Sequence, residues 1–228
     1  MTNEPRRVTA AELSRWSETL AALARTGLAF TDNLYEQERF EEVLQVAAEI
    51  GAHMDAEIQA DPQLAVTGWL EQVVSGVPGY VTPKVTVGAL VGNDDGELLL
   101  IQRSDSGVWL YPTGWADVGY SPAEVIVKEV QEETGIDVVV DRLVAVVDGL
   151  RNGWSRIPFY SLVFQAHMVG GELAAHPLEC SDLGFFTRDA LPSPLASEGA
   201  WVDHAFDVLA GNVIEANFDL PRDPPWQG

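Results

Sequence analysis

The 228-residue sequence predicts an α+β chain, a small helical segment followed by a mixed α/β domain. Three observations point to this. Apolar residues recur at spacings of three and four through residues 9–76. A Gly/Pro-punctuated stretch, 76–83, then interrupts the pattern. Beyond it the periodicity falls to two, with short apolar runs between turn signals. The boundary that follows divides the chain into residues 1–78 and 79–228.

Each element has its own local reason. Leu13, Trp16, Leu20, Leu23 and Ala24 share one face of a first helix, and Thr9 with Glu12 three residues on is a capping box. Phe40, Val43, Leu44, Ala47 and Ile50 stripe a second helix over 34–59. Asp61-Pro62 starts a third, 62–75, as an N-cap followed by proline in the first turn. Three helices this short do not bury all those faces among themselves, so part of the stripe is expected to pack elsewhere or on a second copy. In the second segment, 85–91 and 97–103 flank Asn93-Asp94-Asp95-Gly96, a hairpin turn signal. Strands are expected at 136–147, 157–167 and 183–186, and a last helix at 198–210.

Bulk chemistry excludes several functions. Asp plus Glu total 35 against 13 Lys plus Arg, a net charge of −22, which repels phosphate backbones and argues against nucleic-acid binding. Small anions are admitted only where a cation intervenes. No apolar run approaches the roughly 18 residues of a membrane span. One cysteine, Cys180, rules out an intramolecular disulfide, and the N-terminal stretch has no apolar signal core, so a cytoplasmic location is expected.

Residues 114–136, GWADVGYSPAEVIVKEVQEETGI, hold the chemistry. Ser121 is an N-cap, Pro122 suits the first helical position, Glu124 completes a capping box and Gly135 stands where a left-handed C-terminal residue belongs. A helix over 122–134 follows, with Ala123, Ile126, Val127 and Val130 facing the core. Glu129, Glu132 and Glu133 stand at i, i+3 and i+4 on one face. Like charges so placed cost roughly 0.2–0.5 kcal/mol per pair, and the helix dipole disfavours anions in this C-terminal half. A divalent cation removes that penalty, and Mg²⁺ prefers carboxylate oxygens.

The combined pattern resembles the Nudix box: Gly, five residues, Glu, seven residues, then Arg-Glu-apolar-x-Glu-Glu-x-Gly-apolar. Gly114 opens it, and Glu129, Val130, Glu132, Glu133, Gly135 and Ile136 match directly. Tyr120 stands at the first Glu and Lys128 at the Arg, positions that in the family hold the loop and orient the carboxylates. Tyr111-Pro112-Thr113-Gly114 replaces the usual Leu-Pro-Gly-Gly. The loss of the charge pair is readable as a coupled change, a hydroxyl set near an ammonium. The stretch from 15 to 210 is similar to a branch with an extra N-terminal helical domain, acting on nucleoside diphosphates linked to another moiety such as CDP-choline or ADP-ribose.

That resemblance implies an α/β/α sandwich, a homodimer formed through residues 1–78, and two or more Mg²⁺ or Mn²⁺ ions held by Glu129, Glu132 and Glu133. It implies hydrolysis to a nucleoside monophosphate and a phosphorylated moiety. The general base is Glu133 or Glu132, or an acid of the 178–182 loop, where Asp182 aligns better than Glu179. Arg103 is a candidate phosphate contact. Tyr111, Trp109 and Trp115 are candidates to stack on a base, and Gly114 is a candidate substrate contact. Tyr120, Lys128 and Gly135 support the box. Two other functions fit the same residues: a non-hydrolytic ligand sensor, suggested by Tyr120, Lys128 and the Tyr111-Pro112-Thr113-Gly114 change, and a hydrolase of nucleoside triphosphates.

Overall fold

The computed structural model describes residues 8–53, 61–80, 82–155 and 157–221. The chain forms two compact units, Met1–Pro83 with Ser155–Pro158, and Lys84–Trp154 with Phe159–Gly228.

The first unit holds α1 (Ala10–Phe30), α2 (Leu34–Ala52) and α3 (Pro62–Glu71). Each starts on a capping side chain: Thr9 with its capping box, Asn33, and Asp61 ahead of Pro62. The buried face of α1 is not the large apolar stripe but Ser14, Ser17, Ala21 and Ala24. Small side chains let α2 approach closely, with Ser17 Oγ donating to the Ala47 carbonyl at 2.8 Å. Leu44, Ala47 and Ala24 form the centre, while Leu23 and Trp16 lie exposed. The part of the expected second helix beyond residue 53 lies outside the described residues. α3 stops at Glu71, four residues short of the expected 75, because Gln72 and Val73 bond three residues back in tight turns.

The second unit is an eight-stranded mixed sheet of order β3-β2-β1-β6-β5-β8, with β4 paired to β1 and β7 to β2. Its strands are β1 (Lys84–Gly92), β2 (Leu98–Arg103), β3 (Trp109–Leu110), β4 (Thr113–Trp115), β5 (Ile136–Asp148), β6 (Phe159–Gly171), β7 (Cys180–Phe186) and β8 (Asn217–Phe218). The 93–96 turn is present, with Gly96 at φ +76° and Asn93 N–H bonded to the Glu97 carbonyl. The strands it joins pair only at Gly92 and Leu98, however. β1 runs parallel to β6 over its whole length and antiparallel to β4, while β2 takes β7.

Side chains alternate across the sheet. Val87, Ala89 and Val91 of β1 enter one core with Val125, Ile126 and Val130 of α4 (Pro122–Thr134). Leu90 enters the opposite core with Val202, Ala205 and Phe206 of α5 (Val202–Leu209). The result is the expected three-layer sandwich. Two details differ from the sequence reading. Val125 is buried and Val127 exposed on α4. α5 begins at Val202, because Ser197 and Glu198 adopt left-handed φ of 51° and 53° and break the expected start at 198.

Candidate active site

α4 occupies the range that its caps predicted. Ser121 Oγ accepts from the Glu124 N–H, the Glu124 carboxylate accepts from the Ser121 N–H, and Gly135 closes the helix at φ +73°. Its C-terminal carbonyls are taken up by the connection to β7. Ala174 N–H donates to Thr134 O at 2.8 Å, and His176 N–H to Glu133 O at 3.2 Å. This folds residues 172–180 back over the acidic end of α4.

Glu133 is almost fully buried, its Oε2 accepting from the Thr113 N–H of β4 at 3.0 Å. Burial pushes its carboxyl up to about 8; the Thr113 N–H works against this, and the charges of Glu129 and Glu179 add to it. Glu129 is half-buried and also raised, first by burial and then by the neighbouring charges of Glu132, Glu179 and Asp117 against the pull of Lys128. Its carboxyl packs on Gly114, where any Cβ would collide with it. That close approach is why β4 carries glycine there. Glu132 is exposed, its Oε2 3.7 Å from Lys128 Nζ.

The support of the box differs from the expected hydroxyl–ammonium pair. Lys128 Nζ donates to Asp117 Oδ2 at 2.9 Å, tying the helix to the preceding loop. Tyr120 is exposed, its backbone N–H 3.5 Å from the Asp117 carbonyl. The acid facing the carboxylates from the 178–182 loop is Glu179, whose charge acts on both Glu129 and Glu133. Asp182 pairs with Gln102 within the sheet and accepts from the Leu183 N–H at 2.8 Å. The physical reason is a register shift between Gln102 and Arg103, which sets Arg103 opposite Cys180 and lets Ser104 N–H bond the Glu179 carbonyl.

Arg103 projects from this bulge. Asp105 holds its guanidinium bidentately, at 3.0 and 2.6 Å, and is itself held down at about 2 by that bond. The Glu133 charge reaches Arg103 as well. Cys180 is buried, and burial with the Glu133 and Glu179 charges pushes its thiol up to about 11, an inert state at neutral pH. Tyr111 lies on the other side of the sheet, edge-on to Trp201 at 5.1 Å and beneath Gly88, in the core that α5 covers. Trp109 is buried in the same core, and Trp115 is half-exposed, edge-on to Phe159 at 5.9 Å.

Sequence reasoning missed Asp117 and ranked Glu179 second. An acid in the glycine-containing loop ahead of Lys128 was the available signal for Asp117. Nothing local marks the bulge that selects Glu179.

The donor set suits a hard divalent cation. Three carboxylates crowd one helix face, and at Glu129 and Glu133 the neighbouring negative charges favour the protonated form, so a cation would relieve the repulsion. His176 Nδ1, 4.0 Å from Glu179, is buried with no hydrogen-bond partner among the described residues. Among the described residues no three acids, histidines or cysteines already close on one point. Glu133 is turned to Thr113, and Glu132 lies toward Lys128. Such a site relies on water and phosphate oxygens for the rest of its ligands.

Comparison with known proteins agrees with this geometry. Residues 82–206 match the NUDIX domain, and residues 11–61 match the UDP-X-like N-terminal oligomerisation domain. A Bacillus subtilis (strain 168) protein, YjhB, provisionally named an ADP-ribose pyrophosphatase, is 31% identical over 90% of this chain and 98% of its own. The crystal structure of a UDP-X diphosphatase superposes with a TM-score of 0.56 at 27% identity, covering 93% of this chain and all of that one. That of an ADP-ribose pyrophosphatase from Streptococcus suis 89-1591 gives 0.52 at 33% identity, covering 60% of this chain and all of that one. With the box in register on a capped helix and both of its domains matched, the chain belongs to the Nudix hydrolase family.

Proposed function

We propose that the chain hydrolyses the pyrophosphate bond of a nucleoside diphosphate linked to a second moiety, of the CDP-choline or ADP-ribose kind. The products are a nucleoside monophosphate and the phosphorylated moiety. The observation that carries this reading is the capped helix that sets Glu129 against Gly114 and Glu133 on the Thr113 N–H, in a chain whose full-length relative is named for ADP-ribose.

Glu129, Glu132 and Glu133 would hold two or more Mg²⁺ or Mn²⁺ ions. When bound, such ions neutralise the pyrophosphate and lower the pKa of an attacking water. The chain's own groups do the rest. The Thr113 N–H fixes Glu133, and Gly114 leaves room for Glu129. Glu133 or Glu132 takes the proton of the water, with Glu179 favoured over Asp182 as the acid of the facing loop. Arg103 is placed to receive a phosphate oxygen by exchanging it for Asp105.

Beside the altered Tyr111–Gly114 stretch, part of the case for a sensor is a lost charge pair at Tyr120 and Lys128. Lys128 with Asp117 supplies one, which favours hydrolysis. Residues 1–78 form the oligomerisation domain and 79–228 the catalytic one, in a cytoplasmic homodimer. Leu23, Phe30, Leu34 and Leu64, all more than 60% exposed on the helical unit, supply an apolar surface for a second copy.

The test is a panel of CDP-choline, ADP-ribose, nucleotide sugars and nucleoside triphosphates with Mg²⁺ or Mn²⁺ and mass detection of both products. Linked diphosphates should turn over. Glu132→Gln and Glu133→Gln should each lower kcat by about 10²–10⁴-fold with the circular dichroism unchanged.

A further inference from the structure

On the face of the sheet away from α4 lies a cavity of about 680 Å³, within the range of small-molecule sites. Its floor is apolar sheet, Leu90, Ala145, Val147 and Val163, and its walls include Tyr111, Trp154 and Trp201. The C-terminal stretch 213–220 closes one side and is fastened twice. Arg142 donates to the Val213 and Ile214 carbonyls at 2.6 Å each. Asp219 accepts from the Asp148 N–H at 2.7 Å and from Asn152 Nδ2 at 3.0 Å. β8 adds parallel pairing to β5. This wall is built and held, not a chance gap between loops.

The charged carboxylates at the rim have one sign. Glu198 and Asp219 line the cavity, and no Lys or Arg does among the described residues. Asp219 is satisfied by the fastening, whereas the Glu198 carboxylate has no partner among the described residues and stands on left-handed backbone, φ 53°. His204 is near the Val144 carbonyl through Nε2 at 3.2 Å, which leaves Nδ1 without a partner among the described residues. A phosphate would be repelled here. A flat, uncharged ring that offers N–H groups at its edge would be accepted, with its faces against tryptophan.

The cavity also adjoins the carboxylate site. Tyr111 lines the cavity and Thr113 holds Glu133. Two residues of chain span at most about 7 Å. Along β4, Gly114 is turned to Glu129, while its neighbours alternate to the other face. The segment from Tyr111 to Thr113 therefore borders both spaces.

We propose that this cavity takes the nucleobase of the substrate, with Glu198 reading an amino-bearing edge, as in cytosine, adenine or guanine. The proposal rests on the nucleoside diphosphate reading above. The test therefore measures binding without turnover. Calorimetry on the full chain in chelator, with CMP, AMP, UMP and ribose 5-phosphate, should show CMP and AMP binding more tightly than UMP, and ribose 5-phosphate at least tenfold more weakly. Ala200→Phe, which adds a ring at the exposed cavity mouth, should weaken CMP at least tenfold. Glu198→Gln, which keeps volume and so tests the same point if the first variant misfolds, should reduce the CMP/UMP preference at least fivefold. CMP binding unchanged by Ala200→Phe, or a preference unchanged by Glu198→Gln, overturns the proposal. So does tetramethylammonium binding where CMP does not, which would make the cavity an aromatic cage for a cation. Failure of hydrolysis with CMP bound as expected would count against the catalytic reading alone.

Discussion

Gly114 is the residue on which the site turns. The glycine was legible from its spacing to the acidic trio, but its cause was not: the Glu129 carboxyl occupies the space of a side chain. Gly114→Ala should therefore displace the Glu129 carboxyl, the far end of a flexible side chain, with little change in stability but a lower kcat, read by thermal unfolding and steady-state kinetics. Glu133 makes a prediction about pH. Its carboxyl sits near 8 in the fold against an ordinary 4.5. Between those values the folded state binds more protons than the unfolded one, so stability falls as pH rises through that window. In chelator, the unfolding midpoint should drop from pH 5 to pH 8, and Glu133→Gln should flatten the slope; an unaltered slope would contradict the burial argument. The trio was readable because i, i+3 and i+4 spacing is local. The choice of Glu179 over Asp182 was not, because a bulge in β7, opposite Gln102 and Arg103, decides it. Tyr111 was read as a base-stacking candidate near the box. The bend between β3 and β4 turns it to the other face of the sheet, where it lines the cavity.

Elements were legible in proportion to how locally they are determined. α4 carries its start and stop within its own caps, and its range came out as expected. Ser121→Ala should cost about 1 kcal/mol, measured by denaturant unfolding, without abolishing activity. The 93–96 turn was equally readable, but the partners of its strands were not. β6 and β7 compete for those edges from far along the chain. β3, β4 and β8 are two or three residues long, too short for any periodicity to register. The closing stretch 213–220 depends on Arg142 and Asp219, side chains whose partners lie about seventy residues away. Arg142→Ala should release it, raising KM for the linked nucleotide while changing kcat little, and amide exchange should quicken over 213–220.

At the scale of the molecule, the −22 charge sets the terms. Most of it is solvated, and it keeps phosphate away unless cations intervene. A small part is gathered on α4 and the Glu179 loop, where two carboxyls are raised by burial and by neighbouring carboxylate charge. The helical unit buries mainly small residues around Leu44 and leaves several large apolar ones exposed, which suits a domain made to assemble. Sedimentation should give twice the chain mass, and Leu34→Asp with Leu64→Asp should shift it toward the monomer. The most direct measurement of the central claim is hydrolysis of CDP-choline and ADP-ribose with and without Mg²⁺ or Mn²⁺, each product identified by mass. The account predicts nucleoside monophosphate plus the phosphorylated partner, in equal amounts and only with the metal. Folded protein that cleaves neither these nor any other linked diphosphate, or that cleaves them equally well in chelator, would contradict it.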